Sequence, residues 1–179
     1  MKILKIIGIT LVSIALIFLL IGLFLSNHAY LERSIVIEAP PEKVFDQINQ
    51  FDDLEYWSPW VMMDPQAKYT YSVPASGVGT KYAWDSENPN IGQGSQEIIE
   101  SDPHAYVKSK MQFGGMKGEH FAEFILEPAG QGTAVTWTYD GTEPGFFSRY
   151  FMAGTNMFLG PMYEEGLVNL KAYLEEVPD

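Results

Sequence analysis

From Ile6 to Leu25 the chain carries no charge, and Lys2 and Lys5 stand immediately before this stretch. Twenty residues rising about 1.5 Å each span about 30 Å, the thickness of a bilayer's hydrocarbon core. Gly8, Thr10, Ser13 and Gly22 interrupt the run, and all four residue types are tolerated in membrane helices. The alternative is a signal peptide, whose apolar core runs to about 7–15 residues before a small-x-small cleavage site. Here the run is longer, and Asn27-His28-Ala29 puts Asn where a small residue is needed. The expectation is therefore a retained anchor. Positive residues flanking a span stay in the cytoplasm, so Lys2 and Lys5 place the N-terminus there and everything after the anchor on the extracytoplasmic side. The absence of cysteine agrees with an oxidising compartment.

Removing the anchor from 179 residues leaves enough chain for one domain with a real core. The expected division is residues 1–29 for anchor and short linker, and 30–179 for the domain. Without Lys2 and Lys5, nine basic residues face 23 acidic ones. Such a surface repels phosphate backbones, so nucleic acid is excluded as a partner. Four Trp, ten Tyr, eleven Phe and eight Met are more apolar bulk than an acidic, solvated face needs. They form either an aromatic-rich core or the lining of an apolar cavity.

Residues 27–30 read as a short linker. Leu31 to Ile37 alternates like a strand, and Ala39-Pro40-Pro41-Glu42 stops it. Val44, Phe45, Ile48 and Phe51 repeat at helical spacing, and a second turn or loop runs to Trp57. Six strands then follow, at 69–73, 80–85, 93–101, 106–113, 120–127 and 134–139, each bounded by Gly, Pro, Asn or Asp. The last alternates most clearly, with Val135, Trp137 and Tyr139 against Thr136 and Thr138. At the C-terminus Phe151, Thr155, Phe158, Met162, Gly166, Leu170, Tyr173 and Leu174 share one side of a helix. Gly160-Pro161 predicts a kink there or two helical pieces, because proline removes a backbone bond. The fold class is α+β: a curved antiparallel sheet of about seven strands wrapped round a long C-terminal helix, after one transmembrane helix.

This order, the opening Ile35-Val-Ile-Glu-Ala-Pro-Pro-Glu-Lys-Val-Phe45 and the closing Gly166-Leu-Val-Asn-Leu-Lys171 resemble the START-like, or polyketide cyclase/dehydrase and lipid-transport, superfamily (SRPBCC). Trp57-Ser-Pro-Trp60, Met63-Asp-Pro65, Gly77-Val-Gly79 with Trp84-Asp85, and Gly94-Ser-Gln-Glu-Ile98 extend the resemblance, which covers about residues 30–176. It implies a helix-grip fold with a hydrophobic cavity between sheet and long helix. Members bind lipids, sterols, hormones or polyketides, and some catalyse cyclisation or dehydration; the fold does not choose among these.

His28 falls in the linker, His104 in a turn and His120 at a strand start, and no two have metal-ligand spacing. No metal site and no cofactor are expected. No nucleophile elbow, phosphate loop or calcium loop is present. Asp52, Asp53 and Glu55 read as capping or solvated groups, and Asp64 before Pro65 as a turn residue. Glu97 and Glu100 lie on opposite faces of one strand, so one of them is a candidate cavity acid with a raised pKa. The candidate ligand-binding set is Trp57, Trp60, Met62, Trp84, Met111, Phe124, Trp137, Phe158 and Met162, aromatic or adaptable apolar groups on separate elements. The leading expectation is a membrane-anchored domain that binds a hydrophobic small molecule or lipid. The alternatives are a cyclase or dehydratase using one cavity carboxylate, and an envelope protein that binds a protein partner with its cavity closed by its own side chains.

Overall fold

A computed structural model describes residues 2–176. Helix α1 (Lys2–Phe24) leads by three residues into β1 (His28–Ile37). The segment read as a linker is thus mostly strand. Three short helices follow, α2 (Pro41–Ile48), α3 (Leu54–Trp57) and α4 (Pro59–Met63). Pro41 opens α2, where its missing N–H has no helical partner to lose. Then come β2 (Lys68–Tyr71), β3 (Lys81–Asp85), β4 (Gln93–Asp102), β5 (Tyr106–Phe113), β6 (Glu119–Ala129), β7 (Gly132–Thr142) and finally α5 (Ser148–Glu176). All seven strands form one antiparallel sheet in the order β1-β7-β6-β5-β4-β3-β2. The architecture is α+β and of the helix-grip kind.

Alternation gives the sheet an inner and an outer face. On the outer face Lys108 pairs with Glu123 at 2.8 Å and Lys110 with Glu119 at 3.1 Å. On the inner face Met111, Ala122, Phe124, Trp137 and Tyr139 are buried. Helix α5 closes that face with Met152, Thr155, Tyr163, Leu167, Leu170 and Leu174. Each large apolar side chain fully removed from water there stabilises the fold by about 1.5–3 kcal/mol. The inward stripe differs from the expected one: Phe151 and Phe158 stay half or more exposed, and Met152, Tyr163 and Leu167 take the inward places.

Helix α5 also runs unbroken through Pro161, so neither of two pieces is seen. Arg33, on the inner face of β1, spans the proline. Its Nη2 donates to Asn156 Oδ1 at 2.9 Å and its Nε to Glu164 Oε1 at 2.5 Å. One planar guanidinium therefore ties the turn before Pro161 to the turn after it.

Helix α1 is long and apolar enough to cross a membrane. Its C-terminal end is fastened to the start of α5. Arg149 Nη1 donates to the carbonyls of Gly22, Leu23 and Leu25 at 3.1–3.2 Å, satisfying acceptors that a helix end leaves free. The Phe18 and Tyr150 rings stack at 4.2 Å, and the Tyr150 hydroxyl donates to the Phe18 carbonyl. Gly22 is what permits this approach, since a Cβ there would lie 2.3 Å from the Phe146 ring.

Candidate functional site

Between the inner face of the sheet and the first half of α5 lies a cavity of about 400 Å³. Trp137 from β7 forms its back wall. Tyr163 of α5 stacks on it at 4.1 Å, and Trp60 of α4 meets both rings edge-on at 5.9 Å. Tyr82, Trp84 and Phe113 continue the wall across β3 and β5 with centroid spacings of 5.3 and 6.1 Å. Such offset and edge-to-face contacts are the favoured geometry of aromatic rings. Phe151, Thr155, Phe158 and Leu159 supply the α5 side, and residues 89–93 the side of the loop before β4.

Of the nine residues expected to bind ligand, Trp60, Trp84, Met111, Trp137 and Phe158 line the cavity. Trp57 and Phe124 stand behind the wall instead, Phe124 stacked on Trp137 at 4.8 Å and Trp57 edge-on to both. Met62 is outside, half exposed, with its Sδ 3.5 Å from Asn169 Nδ2. Met162 is also outside, because Tyr163 holds the inward position on that turn. The indole nitrogens of Trp57 and Trp137 are buried with no hydrogen-bond partner, a cost of about 1–3 kcal/mol each that the packed aromatic wall must offset.

Among the described residues, no Asp, Glu, Lys or Arg lines the cavity. The expectation that Glu97 or Glu100 points inward is incorrect for a specific reason. The β4–β5 register shifts between Ile98 and Glu100, and the extra residue returns Glu100 to the face that Glu97 occupies. Both pair in register with outer-face lysines, Glu97 with Lys110 and Glu100 with Lys108, and Glu97 also reaches Lys81 at 3.8 Å. Gln93 and Gln96 are the β4 residues in the lining. A cyclase or dehydratase built on a cavity carboxylate has no such group here. A cavity closed by its own side chains is likewise not what the structure contains.

The polar groups that do reach the lining are hydroxyls and amides. Tyr69 donates to the Asp64 carbonyl at 3.1 Å, and Asp64 itself serves its turn by accepting from the Gln66 N–H and from Ser86. Burial raises the pKa of Tyr82 and of Tyr163, so both hydroxyls stay protonated.

Tyr139 is different, because it heads a buried chain of polar groups. Its hydroxyl lies 2.8 Å from Nδ1 of His120, which is fully buried, and His120 Nε2 lies 3.3 Å from Glu143 Oε2. Glu143 also accepts the backbone N–H groups of Lys117 and Gly118 at 3.0 and 2.8 Å. Burial alone would raise the Glu143 pKa, yet those two N–H groups and His120 together hold it below the ordinary value. Tyr139 is pushed up to about 12, by burial first and then by the charges of Glu143 and Asp140. Gly141 makes room for the arrangement: a Cβ there would lie 2.2 Å from the Tyr139 hydroxyl and 2.9 Å from His120 Nδ1. His120 was visible in the sequence only as a lone histidine opening a strand. Its partners sit 19 and 23 residues away, with no motif to link them. His28 and His104 lie at the surface, facing Asp140 at 3.1 Å and Glu42 at 3.7 Å. Among the described residues no group of three His, Asp or Glu could hold a metal ion.

No functionally curated protein matches the sequence. Solved structures do match. A protein of Chromobacterium violaceum is 19% identical with a TM-score of 0.55, over 86% of this chain and 99% of its own. A protein of unknown function from Staphylococcus aureus is 14% identical with a TM-score of 0.59, over 83% and 97%. The di-domain ARO/CYC StfQ from the steffimycin biosynthetic pathway is 13% identical with a TM-score of 0.65, over 83% of this chain and 51% of its own. At such identities the likeness establishes the fold. The family described as polyketide cyclase / dehydrase and lipid transport matches residues 28–175, all of the sheet and nearly all of α5, and the chain belongs to that family.

Proposed function

We propose that this protein is a membrane-anchored binder of a hydrophobic small molecule or lipid, with residues 1–29 as anchor and 30–179 as the binding domain. The observation that carries the reading is the cavity of about 400 Å³ with an aromatic wall and, among the described residues, no charged side chain in its lining. Ligand sites for small molecules are concave, mostly apolar and about 300–1,000 Å³ in size.

The fastening of α1 supports a specific arrangement at the membrane. Phe18 lies six residues before the end of α1, about 9 Å at 1.5 Å per residue. With α1 spanning the bilayer, Tyr150 and Phe146 stand at the depth of the headgroups or lower. Phe147, in the turn before α5, lies 6.5 Å from the Phe18 ring, Phe151 and Phe158 follow seven residues apart on one side of α5, and all three are exposed at 50% or more. Two of them, Phe151 and Phe158, also line the cavity. The rim of the cavity and the anchor therefore share one side of the domain, and an apolar ligand passes between bilayer and cavity without crossing water. Lys2 and Lys5 orient the domain to the extracytoplasmic side.

Native mass spectrometry of the full chain, released gently from lipid nanodiscs, tests the reading. One apolar adduct per chain is the expected result. A chain that emerges without any adduct overturns it.

A further inference from the structure

Arg149 is fastened to the end of α1 through one nitrogen only. Its Nη1 serves the carbonyls of Gly22, Leu23 and Leu25, a capping task that a lysine ammonium could also perform. A guanidinium has a second edge, on which Nε and Nη2 hold N–H groups side by side in a rigid fork. Arg33 spends those two nitrogens on Glu164 and Asn156, whereas among the described residues nothing accepts from that edge of Arg149. Nor is its charge paired there. Arg33, Lys81, Lys108, Lys110 and Lys171 each face a carboxylate at 2.5–3.8 Å. The acids nearest Arg149 in the sequence are committed elsewhere, Glu143 to Lys117, Gly118 and His120, and Asp140 to His28. Beside Arg149 lies a second cavity, of about 300 Å³, lined by Leu23, Asn27, Gly145, Phe146 and Arg149 itself. Leu23 in that lining, and Phe24 and Phe147 next to it in sequence, are exposed at 63%, 89% and 73%. The uncharged span from Ile6 to Leu25 ends at the carbonyls that Arg149 holds. With α1 across the bilayer, this cavity lies where hydrocarbon gives way to headgroups.

The geometry points to a phosphate site, in which the free edge of Arg149 and the cavity beside it take the phosphodiester of a membrane phospholipid. A planar fork meets two phosphate oxygens at once, and such a pair is stronger half withdrawn from water than fully exposed. The apolar residues around the cavity give the acyl chains of the same lipid a surface to lie on. A phosphodiester in a zwitterionic headgroup also suits a domain with nine basic and 23 acidic residues, since it brings no net negative charge against it. The inference rests on α1 as a membrane anchor. It is independent of what the larger cavity over Trp137 binds.

The full chain labelled with ¹³Cζ-arginine tests it, because Arg33 and Arg149 are its only arginines. Arg149→Lys deletes one of the two signals and so identifies it. The chain is placed in nanodiscs of phosphate-free digalactosyl diacylglycerol with phosphatidylcholine as about one lipid in twenty, and dephasing by ³¹P reports contact between guanidinium carbon and phosphorus. A binding site gives more than about half of the full dephasing at that dilution, against about a twentieth for chance contact. The expected result is such dephasing of the Arg149 signal, with the Arg33 signal unaffected. Dephasing that is absent, that only tracks the lipid ratio, or that is equal for both arginines overturns the inference and leaves the anchor standing. Discs without phosphatidylcholine, in inorganic phosphate, are expected to show none. Dephasing there puts free phosphate in the site and overturns the lipid as its ligand. A chain that does not enter the discs overturns the anchor reading together with this one.

Discussion

Glu143 shows how far a single residue's role depends on neighbours that are distant in sequence. On its own it is one of 23 acidic residues in a strongly acidic chain. In the fold it is buried, and two N–H groups from the Gly118 turn together with His120 depress its pKa. A depressed carboxylate contributes stability above its unfolded value of 4.5, and that contribution is lost as pH falls through the lower folded value. Glu175, held down mainly by the Glu38 N–H, acts with the same sign. Glu143→Gln is therefore expected to cost about 1–3 kcal/mol at pH 7 and to make the acid loss of stability less steep. Denaturant unfolding between pH 3 and pH 7 checks it, and parallel curves for variant and wild type would rule it out. Tryptophan placement is subtler. Trp57 and Trp60 are three residues apart in one motif, yet one stands behind the wall and the other lines the cavity, because α3 ends between them and α4 begins at Pro59.

At the scale of elements, strand and helix existence was readable from alternation and helical spacing, and the seven strands fall within a few residues of expectation. The face of β4 was not. A bulge adds one residue to one strand, leaves no reliable mark in composition, and turns every side chain beyond it to the other face. Glu100 follows it outward. In α5 the apolar residues exceed what the sheet can bury, since the cavity rim and the fastening to α1 need apolar side chains as well. A single best stripe therefore merges the rim residues Phe151 and Phe158 with the core. The unbroken passage through Pro161 follows from tertiary restraint, because Arg33 holds Asn156 and Glu164 whatever the local backbone prefers. Pro161 is exposed, so its ring fills no core position. Pro161→Ala restores a backbone donor and removes a clash, and is expected to stabilise the chain by about 1–3 kcal/mol in denaturant unfolding. A destabilised variant would mean that the ring sets the path of α5 over the sheet.

For the molecule as a whole, the relation between α1, α5 and the cavity decides what the protein can reach. Ala122 sits on β6 opposite Tyr139, is buried, and lines the cavity. Ala122→Phe should place a ring in that space, abolish the apolar adduct in native mass spectra, and change stability by no more than about 3 kcal/mol. An adduct that survives would place the ligand elsewhere, on the exposed face of α5 or along α1. What the sequence determined by itself were the properties that depend on local pattern: an uncharged run long enough for a bilayer, alternating strands, an amphipathic closing helix, a strongly acidic composition. These follow from composition and period, which need no knowledge of partners in space. Only the tertiary structure decided which aromatic rings line the cavity, that no carboxylate of the described residues enters it, and that His120 joins Tyr139 to Glu143. Those outcomes depend on strand register, on one bulge and on the close approach that Gly141 and Gly22 allow. Contacts between residues far apart in the chain fix all of them, and such contacts leave no period to read.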